Sequence, residues 1–262
     1  MPNDTLNFLK DIQLPTHAEL EERIRNIQAA QNGAPLRAVS ASGTDNQKSA
    51  QVNAGSLTSF TENLTGQSKS DVKNSTLLAQ LAADKAHDRF GAPMDWYKFY
   101  LNVLSNIGWN QPAFAFDDYK SGGSTVRVDE AVLGILAAIA TQNEVAIVQA
   151  TMEGLKALGD GTKQMAIWNA NSSNGNNGNF QIMPVDQLAN GDVVMVLTGM
   201  QFNAKTSHGG FLWWSWSSTS INIQRAASKF VLNEDVYAKV RTAIVDKLGD
   251  RATQFVADID IG

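Results

Sequence analysis

Three histidines, two pairs of carboxylates and a run of tryptophans are the residues in this chain whose types and spacing could do chemistry. His17, His87 and His208 fall on three separate stretches, and the first two lie in charged helical segments where solvent exposure is expected. His208 follows Ser207 in a Thr-Ser-His-Gly-Gly turn. Nucleophilic catalysis by such a pair needs a sharply held serine and a carboxylate to orient the ring, and neither motif surrounds it. Asp117-Asp118 and the alternating Asp258 and Asp260 could bind a cation or transfer a proton, but surface acids of this kind are expected to be solvated. No phosphate-binding glycine loop matches. With no cysteine, disulfides, thiolate metal sites and a cysteine nucleophile are excluded. The sequence therefore predicts no enzyme active site, no cofactor and no bound metal.

The tryptophans carry more information. Phe211-Leu212-Trp213-Trp214-Ser215-Trp216 places three of the six tryptophans within four residues. In an extended chain Trp214 and Trp216 share one face and Trp213 takes the other. Such a cluster anchors a protein at a membrane interface, stacks on a sugar, or packs a strand between two helical layers. With Trp168, residues Phe211, Trp213, Trp214 and Trp216 are the candidates for membrane or ligand contact. From Val193 to Gln224 Lys205 is the single formal charge. A strand pair this free of charge suits either insertion into a bilayer or burial on both faces. Val193, Met195 and Leu197 point one way and Val194, Val196 and Met200 the other, so the pattern favours burial between helices.

The elements that must position these residues follow from periodicity. Thr16 and Glu19 form a capping box, after which Leu20, Ile24 and Ile27 make a narrow apolar stripe ending at Gly33. These three are the candidates for docking on a partner, in a helical arm spanning residues 1–32. Residues 33–74 are polar and predict a flexible linker. Helical faces follow at Leu77, Leu78, Leu81 and Ala82, and at Tyr97, Tyr100, Leu101, Leu104 and Ile107. The stretch 109–126 reads as loop. Asp129 opens an all-round apolar helix to Ala140, expected to be surrounded by protein. Thr141 and Glu144 start another helix, closed by Gly159. From residue 163 the period becomes two: strands are predicted from Met165 to Trp168, Phe180 to Val185, Val193 to Phe202, Phe211 to Ile223 and Lys229 to Leu232. Residues 169–179 read as a long hairpin tip, and Asn190-Gly191 as a two-residue hairpin turn. Asn233 caps a last helix, and a closing strand follows. The fold class is α+β, an antiparallel sheet wrapped by helices in three layers, over residues 75–262.

Net charge is -5 and the pI about 5.2, so no basic stripe exists to neutralise phosphates and nucleic acid is not an expected partner. No run of about 18 apolar residues predicts a membrane helix. The N-terminus lacks the basic and apolar regions of a Sec signal, so export is expected by another route.

Over about residues 125–250 the order of elements resembles the Cyt-type cytolytic toxins and the Evf-like insect-gut virulence factors. The resemblance is carried by the apolar helix pair, a Trp-bearing segment, an Asn/Ser-rich tip, and the runs Asn179-Phe-Gln-Ile-Met183 and Gly191-Asp-Val-Val-Met-Val-Leu197. An aromatic strand and the capped helix Asn233-Glu-Asp-Val-Tyr-Ala-Lys-Val240 complete it. It implies a sheet whose helices swing away on lipid, hence a virulence-type protein that acts on membranes by binding or pore formation, with a lipid membrane as partner; the N-terminal helix is where a homo-oligomer or an assembly partner would dock. The acylated cysteine of Evf-like proteins has no counterpart here. The rival expectation is a non-lytic structural or interaction protein, held in an assembly by its N-terminal helix.

Overall fold

Side-chain caps begin several of the helices, in a computed structural model that describes residues 2–30, 47–120, 122–158, 161–205 and 215–261. α1 (Pro2–Asp11) precedes α2 (His17–Ala30), where the Thr16 amide donates to Glu19 Oε2 at 2.6 Å and the Glu19 amide donates to Thr16 Oγ1 at 3.3 Å. The strands β1 (Ser49–Asn53) and β2 (Ser56–Phe60) form a tight hairpin. α3 (Gly66–Ala86) is capped by Thr65, and α4 (Pro93–Asn106) starts on a proline, whose fixed φ suits a first turn. Three short strands follow: β3 (Trp109–Asn110), β4 (Asp117–Tyr119) and β5 (Thr125–Arg127). α5 (Val128–Leu136) and α6 (Gln142–Leu158) form a helical hairpin, with Thr141 and Glu144 in a second reciprocal cap at 2.6 and 3.2 Å. α7 (Lys163–Ser172), β6 (Ser173–Asn174), β7 (Asn177–Gln187), β8 (Val193–Ala204), β9 (Ser215–Ser217) and β10 (Ile221–Leu232) come next. The chain closes with α8 (Glu234–Leu248), capped by Asn233, then α9 (Arg251–Phe255) and β11 (Val256–Ile259).

The main sheet runs β11-β1-β2-β7-β8-β10-β3, with β4 paired to β10 and β6 to β7. It is antiparallel except for β2 and β7, which run parallel. Helices cover both faces. Leu77, Leu78, Tyr100, Leu104, Tyr237 and Ile244 from α3, α4 and α8 pack one face with Met183, Val185, Met195 and Leu197. Val132, Leu136, Val148, Met152 and Trp168 from α5, α6 and α7 pack the other with Phe180, Ile182, Val196 and Met200. The three-layer α+β expectation matches this, including the opposite facing of Met195 and Val196.

Several boundaries differ from the sequence reading, each for a local reason. Within the expected linker, residues 49–60 are a buried hairpin and 66–74 the first turns of α3, with 61–65 joining them; residues 33–46 lie outside the described residues. The polar residues there hide the strands because their hydrogen bonds are internal: Asn53 Nδ2 donates to Thr76 Oγ1 at 2.9 Å, and Ser56 Oγ to Gln181 Oε1 at 2.8 Å. The loop at 109–126 contains β3, β4 and β5. Residues Met165 to Trp168 belong to α7 and not to a strand, since four residues cannot separate a period of two from 3.6. The Asn/Ser run continues that helix: Asn171 Nδ2 and Ser172 Oγ donate to the carbonyls four residues back, at 2.7 and 2.6 Å. The hairpin tip shrinks to Gly175-Asn176, where Gly175 has φ +58. Asn190-Gly191 sits in a five-residue loop between Gln187 and Val193, which are paired. Phe211–Ile223 is not one strand: β9 pairs with β5 in a separate two-stranded sheet, and a turn held by the Ser220 amide donating to the Ser217 carbonyl precedes β10. α5 ends at Leu136, short of the expected Ala140, and Gly134 on it and Ala137 and Ala138 in the turn after it are exposed. Gly159 is outside the described residues.

Candidate functional site

The uncharged strand pair is β7 with β8, and not β8 with the tryptophan segment. β8 has 12 residues and no formal charge, and β7 has none from Asn177 to Val185. Its other neighbour, β10, carries Arg225 and Lys229. At about 3.3 Å per residue, β8 extends roughly 40 Å. Phe180, Ile182, Val196 and Met200 on one face and Met183, Val185, Met195 and Leu197 on the other are all buried. The hairpin is thus uncharged and buried on both sides over its middle, mostly by apolar side chains, with Gln181 and Thr198 as buried polar exceptions.

The two covers are held by different physics. On the α3–α4–α8 side the helices are tied down by buried polar groups. Gln181 Nε2 donates to Tyr97 Oη at 2.8 Å, and Tyr97 Oη donates to the Phe180 carbonyl at 3.1 Å, linking α4 to β7. Burial pushes the Tyr97 hydroxyl pKa up, so it stays protonated and can donate. Gln80 bridges α3 to the β1–β2 turn, accepting from the Gly55 amide at 3.0 Å and donating to the Asn53 carbonyl at 2.9 Å.

In the last turn of α3 Asp84 accepts from Trp96 Nε1 at 2.7 Å, Arg89 Nε at 2.9 Å and Arg23 at 3.1 Å. Burial opposes ionisation of Asp84, but Arg89 and Arg23 more than offset it and hold the carboxyl below its ordinary pKa. Arg89, only 3 % exposed, also donates to Gln80 Oε1 and the Asn171 carbonyl. Its guanidinium lies where a Cβ on Gly55 would come within 1.8 Å, so that turn must be glycine. Farther along, Arg241 holds Asp71 with two bonds at 2.8 and 2.7 Å.

The α5–α6 cover has almost none of this. Among the described residues, the one side-chain hydrogen bond joining it to the main sheet is Ser59 to Thr151, at 2.7 Å. Val132, Ile135, Leu136, Val148, Met152 and Leu155 supply the contact. From Ala131 to Met152 the only charge is Glu144, used in its own helix cap. The outer surface of this hairpin exposes Gly134, Ala137, Ala138 and Ala146. No helix of the described residues is long and apolar enough to cross a membrane, and no cluster of three potential metal-binding side chains occurs among them.

The tryptophan candidates divide. Trp168, on α7, lies against Phe180 with ring centroids 5.6 Å apart, and Trp216, on β9, against Phe202 at 5.9 Å. Both are buried on the α5–α6 side of the sheet. Phe211, Trp213, Trp214 and His208 lie outside the described residues. Leu20 is fully buried in the protein's own core beside Leu9 and Ile12, and Arg23 of the same helix reaches Asp84. The side chains of Ile24 and Ile27 are outside the described residues. The Asp84–Arg89–Trp96 cluster went unnoticed in the sequence, because nothing in the spacing of these residues shows that they converge. The apolar stretch from Ala131 to Ala140 is legible in the sequence, but its one-sided exposure is not.

No family model and no curated protein matches the chain. Among solved structures it is similar to a delta-endotoxin, at 14% identity over 76% of this chain and 87% of that one, with a TM-score of 0.42. It is also similar to the Evf virulence factor, at 14% identity over 92% and 91%, TM-score 0.37. A third is the activated Cyt2Ba monomer from Bacillus thuringiensis subsp. israelensis, at 12% identity over 69% and 97%, TM-score 0.43. These are the same groups that the element order over about residues 125–250 resembles.

Proposed function

We propose that this protein acts on lipid bilayers, through release of the α5–α6 hairpin and transfer of the β7–β8 hairpin from helical cover to lipid, ending in a pore. The observation that carries the reading is a long strand pair without charge on either face, one of whose covers is joined to it almost entirely by apolar contact. In water, that contact keeps the molecule closed, because separating it exposes apolar area at about 25 cal/mol per Å². Against lipid tails the penalty largely disappears, since the tails are as apolar as the helices they replace. The exposed small residues of α5 and α6 are the surface first offered to the bilayer. A tilted spanning strand needs about 9–11 residues, which both β7 and β8 meet. Unpaired strand edges are not tolerated in hydrocarbon, so inserted hairpins must pair with those of other copies, and the pore is a homo-oligomer. Such a protein is of toxin or virulence type and acts outside the cell that makes it.

The test uses dye-loaded vesicles of zwitterionic or anionic phospholipid across pH 4–9. Leakage is expected. The native chain has no cysteine, so a disulfide engineered between α5 and β8 is unambiguous: oxidised protein should not leak vesicles, and reduction should restore leakage. Trp168 and Trp216 report the same event by a change in indole emission. A protein that neither binds nor permeabilises any of these vesicles overturns the proposal.

A further inference from the structure

The end of the sheet where β8 turns toward β10 holds a feature that the membrane reading does not use. Two rows of amide side chains lie in register, one across three strands and one across two. Asn177 of β7, Asn203 of β8 and Asn222 of β10 are directly paired, and one step inward Gln201 of β8 is paired with Gln224 of β10. These five amides line an open cleft of about 230 Å³ on the α4 side of the sheet, walled by Phe90. That volume is the liquid share of about eight waters, room for a single sugar ring and its hydroxyls.

The hydrogen bonds fix which way the amides point. Gln224 Nε2 donates to Asp118 Oδ1 at 3.1 Å, which turns Gln224 Oε1 toward Gln201, and Gln201 Nε2 donates to it. Asn203 Nδ2 donates to Asn177 Oδ1 at 2.6 Å. Among the described residues this leaves Gln201 Oε1 and Asn203 Oδ1 as acceptors, Asn177 Nδ2 as a donor, and the whole amide of Asn222 with no protein partner. An anion asks for donors only and a metal cation for acceptors only. An alternating set of neutral donors and acceptors matches groups that are both at once, which hydroxyls are. Among the described residues the one cation at the wall is Arg89, already occupied by Asp84, Gln80 and the Asn171 carbonyl. The partly exposed Phe90 ring supplies an apolar wall for the face of a sugar.

We propose that this cleft binds a neutral carbohydrate, one pyranose residue of a glycan, through the hydroxyls that Asn177, Gln201, Asn203 and Asn222 can bridge. The ligand can be a free oligosaccharide or a glycolipid headgroup; the chemistry is shared. The site lies on the opposite face of the sheet from α5–α6, so its existence does not depend on membrane insertion.

Saturation-transfer NMR of the whole protein with glucose, galactose, mannose and N-acetylglucosamine at millimolar concentration tests it. At least one sugar should show transfer that saturates. Asn203→Ala and Asn222→Ala, both at exposed positions, should each weaken it at least tenfold while leaving the circular dichroism spectrum and Tm unchanged. Gln201→Leu gives a second check from the inner row. The source is separated by flotation: glycan-free and glycosylceramide vesicles bound equally point to free sugar, and preferential binding to the glycosylceramide vesicles, competed by the free sugar, points to a headgroup. If no sugar shows saturable transfer, or if transfer survives all three substitutions, the proposal is overturned.

Discussion

The two faces of the sheet solve the same burial problem in opposite ways. Both cover the uncharged β7 and β8 with helices, and both do so with well-packed apolar side chains. The α3–α4–α8 face adds a buried ionic cluster and hydrogen bonds from Tyr97, Gln80, Asn53 and Arg241. The α5–α6 face adds Ser59 to Thr151. A buried polar network is not a strong source of net stability, but removing one partner from it is costly. It therefore makes one cover hard to separate without unfolding. An apolar contact is non-directional, and lipid can replace it. Separability of a layer is thus set by the kind of contact more than by its extent.

The largest expected effect lies on the polar face. Asp84→Asn leaves Arg89 and Arg23 without their shared carboxylate, and should cost about 3–5 kcal/mol in urea unfolding at pH 7, as broken buried pairs do. Because the folded pKa of Asp84 is depressed, its contribution is complete above the ordinary carboxylate range and is lost as pH falls through the lower folded value. The gap between wild type and variant should narrow only in strong acid. An unchanged midpoint would break the comparison.

A truncation on the other face should cost less globally and act locally. Met152→Ala is expected to lose about 2–4 kcal/mol. Hydrogen exchange should then accelerate in α5 and α6 while the amides of α3 and α4 remain protected. Equal acceleration in both layers would show that they open together.

Thr151→Val tests the single polar tie. Ser59 is left buried without its partner, at about 1–2 kcal/mol, and the double variant with Ser59→Ala should recover most of that, because replacing both partners is nearly neutral. Vesicle leakage by the single variant should rise, since the cover is easier to release.

The smallest effect belongs to the exposed edge of the polar side. Glu19 accepts from Lys85 and from the Thr16 amide and hydroxyl, which hold its pKa down to about 2 from an ordinary 4.5. Glu19→Gln should lower Tm slightly at pH 7, where this contribution is present. The effect is small because surface pairs contribute little and are screened, and it should fade as pH falls from about 4.5 through 2, as the carboxylate takes up its proton.

Features that depend on short-range chemistry are legible in the linear sequence. Thr16 with Glu19, Thr141 with Glu144 and Asn233 announced helix starts because each cap closes within three residues. The facing of Val193, Met195 and Leu197 against Val196 and Met200 followed from strand alternation alone. Composition alone ruled out disulfides and thiolate chemistry. Tertiary structure decided whatever depends on residues distant in the chain. The polar β1–β2 hairpin is buried because Asn53, Ser56 and Gly55 find partners at Thr76, Gln181 and Gln80, which no local pattern encodes. Met165 to Trp168 is helical because Thr162 caps it and the following Asn and Ser side chains bond back to its carbonyls. Leu20 is committed to the protein's own core because α1 and α2 fold back on it. The strand that pairs with β8, the convergence of Arg89 on Asp84, and the alignment of Asn177, Asn203 and Asn222 are matters of register. Register is set by which distant segments can bury one another's apolar faces, and a single linear sequence shows the faces without showing the pairing.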